Sequence, residues 1–350
     1  MEYKASRMRK AIGLLIVVCM VYGNLAIGQS IHFSQYYNAP MLLNAANTAL
    51  LPGDDYRLGL NYRNQWAAVP VPYNTFSAFI DTKVGGNREN TNHNNWLGLG
   101  VTFFNDKAGD GNLSLLQVQG NIAYHLQLSE FTMLSAGLSA ATVQRSVNYD
   151  NLTFDLQWDG VMFNKHVANG EKVGIIKTSY YTIGAGGNIA FFPNENVYVK
   201  LGGGATNINS PTESFYKSSN TVGLRPTGNL DIMLKTGQVL IINPSVYYTT
   251  QMGASQIVCG SQFRIKLSSS NSTPTELILG AYDRLADAII GVVGVKIGGV
   301  QIMANYDMTT SALAPYNAAY GALEFSIIYQ SPYGKNKDRL SKQFTCPRFF

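Results

Sequence analysis

The feature that most constrains this chain is a two-residue alternation of polar and apolar side chains. The segment SLLQVQGNIAYHLQL, residues 114–128, has leucine, valine, isoleucine and tyrosine in one alternate set and glutamine, asparagine and histidine in the other. Successive side chains of a β-strand point to opposite faces, and the segment is therefore predicted to be a strand with one polar and one apolar face. What each face contacts decides the fold.

The same alternation recurs along the chain, between turn residues such as Gly, Asn, Asp and Pro. It predicts fourteen strands, at residues 56–64, 73–84, 95–105, 114–128, 132–145, 179–192, 197–207, 223–236, 238–250, 255–267, 276–284, 288–297, 299–309 and 319–330. An even number of antiparallel strands returns both ends of a closed sheet to the same side, as in bacterial outer-membrane barrels.

Composition narrows the protein class. Only 13% of the residues are charged, against about 25% in ordinary soluble domains. After the first 28 residues, no apolar run is long enough for a transmembrane helix, which excludes a helical membrane protein. A secreted soluble β-protein and an outer-membrane β-barrel remain.

The first 28 residues have the pattern of a cleaved secretory signal peptide, with a basic start, a short apolar run and small residues before Gln29. Their removal leaves a net charge of about +2, because four basic residues and one acidic residue are lost. This balance does not indicate a nucleic-acid partner. Only two cysteines remain, Cys259 and Cys346, too few for a disulfide scaffold.

The two remaining classes differ in which face meets the surroundings. In a soluble sandwich the polar set would face water, whereas in a barrel of fourteen strands the apolar set faces lipid and the polar set lines the lumen. Tyrosines near the strand ends of the apolar sets are typical of membrane-boundary girdles: Tyr56, Tyr62, Tyr124, Tyr306 and Tyr329. The sequence therefore favours an all-β transmembrane outer-membrane barrel of about 14 antiparallel strands.

The first strand illustrates the consequence for register. Arg57, Asn61 and Arg63 share its polar set. Each arginine turned to lipid at the midplane would cost roughly 2 to 4 kcal/mol. The three side chains are therefore expected to point into the lumen.

The predicted organisation is a signal peptide at 1–28, an N-terminal periplasmic or plug segment at 29–55, the barrel at 56–330 and a periplasmic C-terminal tail at 331–350. The longest external loop is predicted from Ser146 to Thr178. The strand at 288–297 is apolar on both faces, which a water-filled pore does not favour. Either the N-terminal segment packs against it as a plug, or the wall is thick on the external side or covered by an inward-folded loop.

No catalytic or metal-binding pattern is recognisable. The segment NDKAGDGN lacks the ligand spacing of a calcium loop and fits a hairpin turn better. The four histidines have no zinc spacing, and neither a nucleophile elbow nor a Cys/His pair is present. We therefore expect no enzymatic activity, no cofactor and no metal. His125 is expected to line the lumen.

Motifs along nearly the whole mature length resemble the PorP/SprF family of outer-membrane proteins from the type IX secretion and gliding machinery of Bacteroidetes. They are HFSQYYNAPMLLN, YRLGLNYRNQWAAVPVPYNTFSAFID, NDKAG, SAGLSAATVQ, NPSVYY, ANYDMTTSAL, GALEFSIIY and the closing CPRF. Each motif alone is weak, and their combination is specific.

This resemblance implies a non-enzymatic barrel in the outer-membrane lipid that helps export or anchor a large surface adhesin through its C-terminal sorting domain, with periplasmic ring components as further partners. Lumen hydrogen bonding, loop geometry and partner contact are alternative roles for its motif residues. These are Arg57, Asn61, Arg63, Asn64, Gln65, Trp66, Asp106, Lys107, Gly109, Asp307, Glu324, Cys346, Pro347, Arg348 and Phe349.

Two functions fit the predicted barrel. In the first, the external end, formed by 65–72, 106–113, 146–178 and 208–222, binds the adhesin. In the second, the protein is a plugged small-molecule channel similar to fatty-acid porins. The basic tail is either disordered or a periplasmic docking peptide with an aromatic anchor.

Overall fold

The computed structural model describes residues 33–51, 53–67, 71–85, 95–164, 166–167, 170, 174–215, 220–268 and 274–333. This part of the chain contains sixteen strands, of which fourteen form a closed antiparallel barrel. The strands in chain order are β1 (Tyr56–Gln65), β2 (Tyr73–Val84), β3 (Trp96–Ala108), β4 (Leu113–Ser129), β5 (Thr132–Asn148), β6 (Ile175–Asn194), β7 (Val197–Thr206), β8 (Thr212–Glu213), β9 (Asn220–Thr221), β10 (Arg225–Thr236), β11 (Leu240–Gln251), β12 (Ala254–Ser268), β13 (Thr275–Arg284), β14 (Ala288–Ile297), β15 (Val300–Thr309) and β16 (Tyr320–Ser331).

Each strand pairs with its barrel neighbour along the chain, and β1 closes the ring against β16. The fourteen predicted strands are confirmed. The two-stranded hairpin β8 and β9, outside the barrel sheet, was not predicted. The external link after β5 is shorter than expected, since β5 reaches Asn148 and β6 starts at Ile175. Residues 149–174, rather than Ser146 to Thr178, form that link.

The two faces of the strands are placed as the alternation predicts. On β1, the side chains of Leu58 and Leu60 are 40% and 48% exposed, whereas Arg57, Asn61 and Arg63 are buried. The apolar set therefore faces outward and the polar set inward, which is the arrangement of a membrane barrel. No helix within the described residues is long and apolar enough to cross a membrane.

The described residues 33–51 of the N-terminal segment lie inside the barrel. They form a 3-10 turn (Tyr36–Asn38), one short α-helix, α1 (Pro40–Leu43), and a second 3-10 turn (Ala45–Asn47). Pro40 occupies the first helical position, where its missing N–H costs nothing. A barrel of fourteen strands is too wide for its own side chains to fill, which leaves room for this segment.

The packing of this plug segment, residues 33–51, explains why β14 is apolar on both faces. Ile290 and Val292 point inward and belong to one buried cluster with Tyr36 and Leu43 of the plug segment. Ile289 and Val293 point outward and are about half exposed. The inner face of β14 therefore contacts protein. Among the alternatives given for its apolar inner face, the structure has the packing of the N-terminal segment.

Candidate functional site

Four charged side chains from four strands meet in the external half of the lumen. Arg63 of β1 contacts Glu324 of β16 and lies 3.1 Å from Asp307 of β15, measured from Nη1 to Oδ2. Arg284, at the end of β13, lies 2.8 Å from the same Asp307 oxygen. All four residues are buried. Two positive and two negative charges balance one another, which offsets the cost of removing them from water.

This charged cluster holds the start of the plug segment. Glu324 accepts the backbone N–H of Ser34 at 2.6 Å with Oε1 and that of Gln35 at 2.9 Å with Oε2. The Ser34 hydroxyl donates to Asp307 at 2.5 Å and accepts from Arg63 at 2.7 Å. Hydrogen bonds to charged groups are stronger than neutral ones. The segment is thus fixed through its backbone and a hydroxyl, without a charge of its own.

The middle of the plug segment packs directly against glycines of the barrel wall. Asn44 donates to the carbonyls of Gly187 and Gly203, both at 3.1 Å. A Cβ at Gly186 would lie 2.0 Å from Asn44 Oδ1, and one at Gly137 would lie 2.5 Å from the backbone of Ala45. Glycine is required at Gly137 because the two backbones approach too closely there for any side chain, whereas at Gly186 the nearest plug atoms belong to the Asn44 side chain.

A second buried ion pair holds the periplasmic end of the plug segment. Arg57 donates to both carboxylate oxygens of Asp81, at 2.6 and 3.0 Å. Asp81 also accepts the backbone N–H of Ala49 at 2.7 Å. The His125 ring lies 2.8 Å from the Thr48 carbonyl. The plug segment is therefore anchored at both ends of the lumen.

The described residues leave cavities inside the barrel, of which two border the plug segment. The external one, of about 370 Å³, is lined by plug residues such as Phe33 and Leu42 and by wall residues including Tyr180 and Arg225. The periplasmic one, of about 170 Å³, is lined by residues such as Lys200. Leu43 of the plug segment borders both cavities. The segment therefore lies between two chambers.

Burial also affects titration inside the lumen. The pKa of the Tyr36 hydroxyl is raised well above its ordinary value, first by burial and then by the neighbouring Tyr282. The hydroxyl donates to Ser245 Oγ at 2.7 Å. Tyr36 therefore stays neutral at any physiological pH.

The external link between β5 and β6 exposes apolar side chains to the outside. Leu156, Val161 and Met162 are 66%, 82% and 61% exposed. Trp158 and Phe163 pair across a small bridge, with ring centroids 5.1 Å apart. We call residues 155–163 the apolar hairpin. Several large apolar side chains exposed in one short segment are a common feature of interaction surfaces.

A carboxylate fixes the tip of the apolar hairpin. Asp159 accepts the backbone N–H groups of Met162 and Val161 at 2.8 and 2.9 Å. These two bonds lower the pKa of Asp159 below its ordinary value. The exposed side chains at the tip are thus presented by an ordered turn.

Of the residues singled out from the sequence, Arg63, Asp307 and Glu324 come together in the charged cluster, and Arg57 lies at the other end of the lumen. Asn61 donates to the Asn38 carbonyl at 3.1 Å, and thus also contacts the plug segment.

The other sequence candidates lie at the external rim or beyond the described residues. Asn64 bonds Asn74 at 2.7 Å, Gln65 accepts from Arg63, and the Trp66 ring lies 5.1 Å from that of Tyr73. Asp106 is buried and accepts from Thr75 at 2.6 Å, Lys107 is exposed, and Gly109 adopts a φ of +73° in the following turn. Cys346, Pro347, Arg348 and Phe349 fall outside the described residues.

Sequence reasoning missed Ser34, Asp81, Arg284 and the inward glycines as contacts of the plug segment. Arg284 ends a strand and resembles a turn residue. The glycines of GAGGNIA and LGGGAT gave a usable indication, because a strand rich in inward glycine marks close backbone approach.

Comparisons with known proteins agree with this architecture. A family model described as type IX secretion system membrane protein PorP/SprF matches residues 26–329. No curated protein is a significant match. Among solved structures, the chain is similar to the toluene transporter TbuX of Ralstonia pickettii, with 10% identity, a TM-score of 0.52, and coverage of 85% of this chain and 94% of that one. It is also similar to a FadL homologue of Pseudomonas aeruginosa, with 9% identity, a TM-score of 0.51 and the same coverages. At these identities the likeness shows the fold alone.

Proposed function

Because the chain belongs to the PorP/SprF family of type IX secretion system membrane proteins, and is an outer-membrane β-barrel, we propose that its external end binds a secreted adhesin. The adhesin is bound through its C-terminal sorting domain and is thereby exported or anchored at the surface. Periplasmic ring components of the secretion system are the proposed partners at the other end, where the tail 331–350 docks. We propose no enzymatic activity.

The observation that carries this proposal is the apolar hairpin at the external end of a barrel whose lumen contains the plug segment. Five apolar side chains at 155–163 are at least half exposed: Leu156, Trp158, Val161, Met162 and Phe163. Aromatic and large apolar side chains of this kind supply most of the binding energy in protein interfaces. The plug segment fixed in the lumen favours a platform over an open pore.

The first experiment identifies the client. The tagged full chain is isolated from detergent-solubilised outer membranes, and the co-purifying chains are identified by mass spectrometry. A chain with a C-terminal sorting domain is the expected partner. Its absence from the wild-type sample contradicts the proposal.

A double substitution then tests the surface. Val161→Ser combined with Met162→Ser keeps the backbone bonds to Asp159 and removes apolar area, and adhesin capture should fall at least tenfold. The control is Val239→Ser, which repeats one of the two changes at a residue 54% exposed on the turn at the opposite end of the barrel. Equal capture by all three proteins would exclude the apolar hairpin as the binding surface.

A second candidate function is a channel for small apolar molecules. The external cavity of about 370 Å³ and the fold shared with the toluene transporter TbuX favour it. Vesicles containing the purified protein are tested for toluene uptake against empty vesicles. Uptake above that of empty vesicles supports the channel, and equal uptake supports the platform.

A further inference from the structure

Among the described residues, the external part of β6 has one backbone edge to which no strand is paired; the short strand β8 lies near β6 but pairs only with β9. β6 has 20 residues and β7 only 10. The pairing between them ends at Ala185 and Ala205. Above this point, β6 continues to Ile175 and pairs with β5 alone. β7 stops because Asn207 adopts a left-handed conformation, with φ of 58°, which turns the chain away.

The alternating direction of backbone groups along a strand shows which N–H and C=O groups lie on this edge. Ile183 faces the β7 side, since its carbonyl accepts from Ile208 N at 3.0 Å and its N–H donates to Asn209 Oδ1 at 3.1 Å. In an antiparallel pair, every second residue directs both backbone groups to the same side. Tyr181, Ser179, Lys177 and Ile175 therefore direct their N–H and C=O groups away from β5.

Asn209 ends the covered part of the edge. Its side-chain amide donates to the Tyr181 carbonyl at 2.8 Å and thus imitates one residue of a paired strand. Beyond it, no residue within the described ranges bonds to the Tyr181 N–H or to the outward backbone groups of Ser179, Lys177 and Ile175. We call residues 175–181 of β6 the open edge. It is about 20 Å long at the usual rise per residue.

Strand length places the open edge above the membrane. β14 and β15 span the barrel wall with ten residues each. Ten residues of a strand tilted by about 40° rise about 25 Å, which is the height of the apolar band. The periplasmic half of β6 covers that height, and the open edge extends beyond it into water. In the chain it lies on the C-terminal side of the apolar hairpin, separated from it by residues 164–174.

We propose that the open edge pairs with an extended strand of the secreted client, which adds to the sheet beside β6. Evenly repeated N–H and C=O groups are matched by another extended backbone, and strand addition of this kind is a common recognition mode. This inference rests on the proposed adhesin binding and names its geometry.

The outward side chains of the open edge indicate the chemistry of the added strand. Ile175 and Tyr181 are 58% and 74% exposed, and Lys177 between them is exposed as well. Opposite-charge and aromatic or β-branched cross-strand pairs are favourable. The client strand therefore carries an acidic residue opposite Lys177 and apolar residues opposite Tyr181 and Ile175.

Proline at Ser179 tests the pairing. Proline has no N–H and is tolerated on the edge of a sheet. Because the Ser179 N–H makes no bond to β5, its loss leaves the pairing of β5 and β6 intact. The probe is the purified C-terminal sorting domain of the adhesin that co-purifies with the chain, titrated against the full chain in lipid nanodiscs. Ser179→Pro should weaken binding at least tenfold, and the matched control Ser179→Ala, which keeps the N–H, should change it less than twofold.

A second measurement on the wild-type protein does not depend on the folding of a variant. Hydrogen exchange at the amides of Lys177, Ser179 and Tyr181 should slow at least tenfold when the domain is added. Unchanged exchange with a domain that binds would overturn strand pairing and leave adhesin binding intact, as would equal binding by Ser179→Pro. Absence of any binding to the wild type would overturn both. If these amides are protected from exchange without the domain, and the protection rises with protein concentration, the open edge pairs with a second copy of this chain. If that protection is independent of concentration, the open edge pairs with this chain's own loops. Either result overturns the proposal.

Discussion

The carboxylate of Glu324 accepts the backbone N–H of Ser34 at 2.6 Å, although the two residues are 290 positions apart. The bond joins the start of the plug segment to the last strand of the barrel. Arg63, from the first strand, contacts the same carboxylate. Closure of the barrel between β1 and β16 therefore also builds the site that holds the plug segment.

Substitution of Glu324 tests this site. Glu324→Gln preserves size but leaves Arg63 with Asp307, which Arg284 already shares. Breaking a buried ion pair on one side should lower the free energy of unfolding by roughly 3 to 5 kcal/mol. Urea unfolding in lipid vesicles, followed by tryptophan fluorescence, measures it. The exposed Glu130→Gln is the control, with an expected change within about 0.5 kcal/mol. Equal stability of both variants would contradict the role of the charged cluster.

Two glycine-to-alanine substitutions test the contact between the plug segment and the barrel wall. An alanine Cβ at Gly137 would lie 2.5 Å from backbone atoms of Ala45 and Ala46, whereas one at Gly120 meets nothing within 4 Å. Gly137→Ala should lower the free energy of unfolding by about 1 to 3 kcal/mol, as overpacking does. Gly120→Ala should be neutral or slightly stabilising. Similar unfolding midpoints for the two variants would show that residues 33–51 do not occupy the lumen.

The buried Tyr36 predicts a pH dependence at the alkaline end. Its pKa is raised in the folded protein, whereas the unfolded chain releases this proton near pH 10. The stability that Tyr36 contributes is therefore complete below pH 10 and is lost as pH rises further, by up to about 1.4 kcal/mol per pH unit. Unfolding of Tyr36→Phe across pH 9 to 11 should show a smaller decline than the wild type. Parallel declines would exclude the effect.

The strands were predictable because each depends on a local pattern. Alternation in segments such as 114–128 is imposed by lipid on one side and the lumen on the other. The external ends of β5 and β6 were underestimated because strands above the membrane no longer need an apolar outer face. Lys177 interrupts the pattern in the part of β6 that was missed, residues 175–178.

The candidate site was only partly predictable. Arg63, Asp307 and Glu324 stood out as charges on lumen-facing positions of apolar strands. Their joint contact with Ser34 depends on barrel closure and on the path of the plug segment, which no local pattern encodes. Gly137 was not singled out, because a single glycine in a strand does not show whether a backbone packs against it.

Ion conductance of the purified protein in a planar lipid bilayer tests the central claim, that residues 33–51 close the lumen, most directly. The full-length barrel is expected to show no steady conductance. A variant lacking residues 33–50, confirmed as folded by its β-sheet circular dichroism, is expected to open stepwise channels. Steady conductance by the full-length protein, at the level of that variant, would contradict the claim.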